Sequence, residues 1–152
     1  MTTIGDLLGK QADELARSSL SVGDVHLLPL SQNEGITPKE GDTREKLFVI
    51  LGFNAAGDII GGVVVNSKVN HNLPTVITDY LMPISASQFK FLKHDSFVNC
   101  SSPKFVKKEK FNNKTYRGRI EDTETLALII GTLFDSPYTS AQQLREFGIV
   151  RL

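Results

Sequence analysis

The chain has 152 residues, of which 40% are hydrophobic and 22% charged, enough for one ordinary core and short for two. Its 17 basic residues balance its 17 acidic ones, so attraction to a polyanion requires a local cluster rather than a global field. The single cysteine, Cys100, excludes an intrachain disulfide framework and fits a reducing compartment. No apolar run approaches the roughly 20 residues of a membrane span, and the polar start lacks the apolar segment of a secretory signal, so a cytoplasmic protein without a membrane partner is expected.

Thr3 opens a helix over about 4–17, with Ile4, Leu7, Leu8, Ala12, Leu15 and Ala16 as its apolar stripe and with Gly5 and Gly9 weakening it. Residues 1–21 are expected to form a helical extension that packs on the domain or faces a partner. The first strand covers 25–30, where Pro29 favours an edge or an end. The polar stretch 31–45, broken by Gly35, Pro38 and Gly41, reads as a long loop near a functional face. The clearest buried strand is 46–52; a turn at 54–57 leads into a return strand at 59–66, whose Gly61 and Gly62 allow a bulge or a close backbone approach.

Ser67 and Lys68 stand where that strand gives way to a polar loop. A further strand is expected between residues 75 and 83, followed by a turn over 85–93. Residues 96–100 alternate, placing Phe97 and Asn99 on one face and Val98 and Cys100 on the other. After Ile120, the acidic run of Glu121, Asp122 and Glu124 suits a helix N-terminus, and Leu126, Ile129, Ile130 and Leu133 recur at helical spacing. Strands near 25, 47, 60, 77 and 97 with no crossover helix between them favour a mainly β fold, a small twisted barrel, over a parallel α/β sheet.

The charge pattern is uneven. Between Lys90 and Arg119, nine basic residues face only Asp95 and Glu109, a local excess of +7 in a neutral protein. Phe105, Phe111 and Tyr116 lie among these cations, where they either stack single-stranded bases or point into the core. His26, His71 and His94 lack metal-ligand spacing and read as surface or turn residues. Asp58 and Asp79 read as surface acids, and no phosphate loop, zinc motif, Cys-His pair or nucleophile elbow is present.

The chain resembles the PemK/MazF family of toxin endoribonucleases over about 22–134. The similarity is carried by LKHDSFVNC at 92–100, the basic stretch after it, GRIEDTETLALIIGTL at 118–133, and KLFVIL at 46–51 followed by VVVNS at 63–67. It implies an SH3-like PemK/MazF-type barrel over 22–134 ending in a helix, with the N-terminal helix as an addition and 135–152 as a tail. It also implies a homodimer, an antitoxin protein as partner, and cleavage of single-stranded RNA with neither metal nor cofactor. Lys46 stands where the family has arginine, with Arg44 as a substitute, and Ser67 stands at the family's hydroxyl position; these three are the expected catalytic residues. Lysine neutralises phosphate but lacks the planar fork of arginine. The expected RNA-binding residues are Lys68, Lys104, Phe105, Lys107, Lys108, Lys110, Arg117 and Arg119. The alternative to an RNA-cleaving toxin is a noncatalytic module of the same build that binds nucleic acid or protein.

Overall fold

The computed structural model describes residues 3–34, 43–67 and 75–152. Its centre is an antiparallel hairpin of β2 (Arg44–Phe53) and β3 (Ile59–Asn66), with Leu47 opposite Val65 and a bulge between Ile50 and Gly52. Both strands are dense in β-branched and large apolar residues because both of their faces are covered. The turn between them is held by Asn54, whose Oδ1 accepts from the Ile59 amide at 3.1 Å, and by Gly57, whose φ of +76° suits glycine.

β1 (Asp24–Leu30) flanks β2, and β7 (Tyr116–Arg119) lies outside β1. On the other side, β3 carries two partners in succession. β6 (Lys104–Lys107) pairs with residues Ile59 to Gly62, and β5 (Ser96–Asn99) pairs with Val65 and Asn66. β4 (Leu81–Ile84) completes the sheet beyond β5. All of these pairings are antiparallel. The seven-stranded antiparallel sheet is open, so the fold is mixed α/β around one sheet, roughly the mainly β fold expected but not closed into the small barrel expected from strand spacing. Strand spacing reports which segments are extended; hydrogen-bond closure depends on twist and edge geometry that no local pattern encodes.

One face of the sheet packs Val25, Val49, Val63 and Val98 against Leu126, Ile129 and Leu133 of α3 (Thr123–Asp135). The acidic start of α3 acts as anticipated: Asp122 is its N-cap, accepting from the Glu124 amide at 3.0 Å and from Thr125 Oγ1 at 2.5 Å. Cys100 belongs to this core, and burial pushes its thiol up to about 12, which keeps it protonated and inert at neutral pH. The opposite face buries Leu28, Leu30, Phe48, Ile50, Val64, Val106 and Phe111.

Several segments differ from their sequence reading. The strand expected between 75 and 83 is β4, at the end of that stretch, and α2 (Thr75–Thr78) precedes it. β2 begins at Arg44, two residues before the expected start, because pairing with Leu30 of β1 extends it into the polar stretch. The segment 135–152 is no loose tail. It contains α4 (Ala141–Glu146) and buries Leu144 and Ile149 in the first core. Phe147 stacks on Phe105 with ring centroids 3.8 Å apart, and a Cβ on Gly52 would lie 2.3 Å from the Phe147 carbonyl oxygen, so this contact requires glycine.

α1 (Ile4–Ser18) starts with a capping box between Thr3 and Asp6, yet buries no residue. It is held by its last turns, where Arg17 Nε donates to the Phe111 carbonyl at 2.9 Å and Asp13 accepts from the Asn113 amide at 3.2 Å. No helix among the described residues is long and apolar enough to cross a membrane.

Candidate functional site

The pairing of Leu47 with Val65 makes Lys46 and Asn66 the next opposed residues, and Lys46 Nζ donates to Asn66 Oδ1 at 2.7 Å. Side chains alternate along a strand. Arg44 and Lys46 therefore follow the side of Phe48, and Ser67 follows the side of Val65 and Leu47. Arg44, Lys46 and Ser67 thus lie at the same end of the hairpin but on alternate faces of it. The strand ends nonetheless open onto one cleft of about 460 Å³, whose walls include Arg44, Lys46, Ser67, Phe91, Lys93, His94 and Arg117.

The cleft gathers four cations, Arg44, Lys46, Lys93 and Arg117, around one carboxylate, that of Glu45. Such an excess in a concave site attracts an anion and holds it where charge accumulates. Arg117 reaches the cleft from β7. Its Nη1 donates to the Lys114 carbonyl at 2.7 Å and the Tyr116 carbonyl at 3.0 Å, which orients the guanidinium and leaves its other nitrogens for a ligand. Phe91 forms an apolar wall because Gly118 admits it: a Cβ there would stand 3.0 Å from the Phe91 ring.

The remaining expected RNA-binding residues lie elsewhere. Lys104, Phe105 and Lys107 sit opposite Gly62, Gly61 and Ile59, at the start of β3 rather than its end. The six residue steps from Gly61 to Ser67 correspond to roughly 20 Å of strand. Lys104 is half-buried, and that burial lowers its pKa; Phe105 has one ring face on Phe147. Lys107 and Lys108 line a separate depression with Arg17 and Asp58.

Lys110 is committed to Glu34 at 2.8 Å and to the Pro29 carbonyl at 3.2 Å. Burial alone would raise the Glu34 carboxyl, but the bonds from Lys110 and Ser31 outweigh it and hold the group below its ordinary value. Arg119 stands 3.7 Å from the buried carboxylate of Asp24, whose pKa is raised by burial despite the Ser21 amide bond and the Arg119 charge. Lys68 and His71 lie outside the described residues.

Of the three aromatics among the cations, Phe111 is in the core and Tyr116 is half exposed. His26, read as a surface or turn residue, is a core group at 2% exposure. Its Nδ1 lies 2.8 Å from Thr115 Oγ1, and its ring meets Phe111 and Tyr116 edge-on. Burial, aided by the Arg117 charge, depresses its pKa to about 4, so it is neutral in this site at pH 7.

Sequence reading missed Phe91, Lys93 and His94 as members of the cleft. Lys93 was visible within the basic excess and His94 beside it, but only the pairing of β5 with the end of β3 brings their loop to Ser67. Among the described residues, no group of three or more His, Cys, Asp and Glu side chains is arranged to hold a metal ion. No protein-family model matches the chain, and no curated protein matches it.

Proposed function

We propose that this chain is a cytoplasmic PemK/MazF-like toxin endoribonuclease, built on an open variant of the SH3-like barrel, that cleaves single-stranded RNA without a metal ion. The convergence of Arg44, Lys46, Ser67 and Arg117 on one cleft is the observation that carries this reading, because three separate strand regions supply a hydroxyl and three cations to one concave space. In the reaction, the 2′-oxygen attacks the adjacent phosphorus and the bond to the 5′-oxygen breaks, leaving a 2′,3′-cyclic phosphate and a 5′-hydroxyl. Arg44, Lys46 and Arg117 offset charge on the phosphoryl oxygens, and Ser67 orients one oxygen by hydrogen bonding. The reading includes a homodimer and neutralisation by an antitoxin protein.

A noncatalytic binding module is favoured by one observation. Lys46 replaces the family's arginine and its ammonium is already bonded to Asn66, so it offers a phosphate a point charge and no fork. An end-labelled RNA cleavage assay in chelator decides between the two. The toxin reading expects cyclic-phosphate ends from the wild type and loss of cleavage, with retained circular dichroism, in Ser67→Ala. Binding without cleavage by the wild type supports the module, and a 5′-phosphate product points to a different hydrolytic mechanism.

A further inference from the structure

The groups so far given a part in the reaction, Arg44, Lys46, Ser67 and Arg117, supply positive charge and a hydroxyl, and none of them accepts the proton of the attacking 2′-hydroxyl. We infer that His94 is the general base of the cleft, an inference that rests on the endoribonuclease reading and adds to it the missing proton acceptor. His94 lines the same cleft as Arg44, Lys46 and Ser67 and is exposed there, whereas His26 is enclosed by Phe111, Tyr116 and Thr115.

The hydrogen bonds around His94 fix which nitrogen is basic. Ser96 Oγ donates to the His94 carbonyl at 2.9 Å, which uses its only proton. His94 Nδ1 lies 3.3 Å from that same Oγ and 3.3 Å from the Asp95 carbonyl, and both can now only accept. Nδ1 therefore carries the ring proton, and Nε2 keeps its lone pair for the ligand. The loop that holds the ring is itself anchored, with Asp95 Oδ1 accepting from the Ala86 amide at 2.9 Å and Ser96 buried at 4% exposure.

In the step this assigns, Nε2 takes the proton from the 2′-hydroxyl as the 2′-oxygen bonds to phosphorus. The bond from phosphorus to the 5′-oxygen breaks, and the departing oxygen takes a proton from solvent in the open cleft. The imidazolium then returns its proton to water. The ionisable groups that share the cleft with His94 are Arg44, Glu45 and Lys46 of β2, Arg117 of β7 and the neighbouring Lys93, with Asp95 adjoining it in the loop.

The test compares wild type, His94→Gln, His94→Ala and Glu45→Gln on one single-stranded RNA, with kcat, RNA affinity and circular dichroism measured for each across pH. His94→Gln is expected to lower kcat by about 10²-fold or more with affinity within about twofold, and to remove the acidic limb of the pH–rate profile. Added imidazole is expected to restore part of the His94→Ala rate. Wild-type rates in His94→Gln, or an acidic limb abolished by Glu45→Gln and retained in His94→Gln, overturn the assignment to His94 while leaving the nuclease reading intact. A wild type that binds RNA but does not cut it removes both.

Discussion

The two ends of β3 carry similar numbers of basic side chains to different effect. At its end, Arg44, Lys46, Lys93 and Arg117 come from distant parts of the chain and share one cleft. At its start, residues 104–110 are the densest basic run in the sequence, yet Lys104 is half-buried, Lys110 is paired with Glu34, and Lys107 and Lys108 occupy a separate depression. Charge density along the chain is therefore a poor guide to charge density in space. Residues two apart on a strand point to one side but move some 7 Å along it, whereas antiparallel pairing brings distant residues within about 5 Å.

The widest separation between these ends is expected in catalysis. Replacing Arg44 and Lys46 together with alanine should lower kcat/KM for single-stranded RNA by at least about 10²-fold, as expected when charge-stabilising groups are removed. Replacing Lys107 and Lys108 should change it by less than about threefold, in line with cations that lie outside the site. The salt dependence of RNA binding gives a second reading, since the log–log slope flattens by about 0.7 for each phosphate of a single strand that the protein no longer neutralises. Equal effects of the two double replacements would break the comparison and place RNA on the β6 end.

His26 supports the cleft end, because its bond to Thr115 sits just before the strand that carries Arg117. Its pKa is depressed to about 4 in the folded protein, below the ordinary 6.5 of the unfolded chain. The stability this neutral histidine contributes is fully present above about pH 6.5 and is lost as pH falls toward 4, a change on the order of 3 kcal/mol. Urea unfolding between pH 7 and 4 measures it, and His26→Gln should flatten that part of the profile.

The C-terminal packing at the β6 end should act on stability alone. Phe147→Ala removes the stack on Phe105 and is expected to cost about 2 kcal/mol in denaturant unfolding, while the cleavage rate of the folded fraction stays within about twofold. The smallest effect belongs to Lys110→Ala, which takes the cation from the carboxylate of Glu34 and leaves it the bonds from Ser31. A decrease of about 1 kcal/mol is expected near neutral pH, shrinking as acid protonates Glu34, with RNA affinity nearly unchanged.

The central hairpin, the strand at 96–99 and α3 were legible because each is set by local chemistry. Alternating or continuous apolar residues, Asn54 and Gly57 at the turn, and Asp122 at a helix start satisfy their own backbone requirements wherever they lie. The short strands β6 and β7 and the helix α4 were not legible, since four to six residues carry too little periodicity and draw their stability from neighbours supplied by the tertiary fold.

By itself, then, the sequence determined the strand and helix cores, the capping at Thr3 and Asp122, and a pairing that sets Arg44, Lys46 and Ser67 at one hairpin end. Tertiary structure alone decided that the sheet stays open, that His26 and Phe111 are buried, and that α4 closes over the β6 end. It also decided which cations meet. Lys93, His94 and Arg117 join the cleft because β5 pairs with one side of the hairpin and β7 pairs with β1 on the other, and long-range pairings of this kind are fixed by the packing of two cores rather than by any pattern within a single segment.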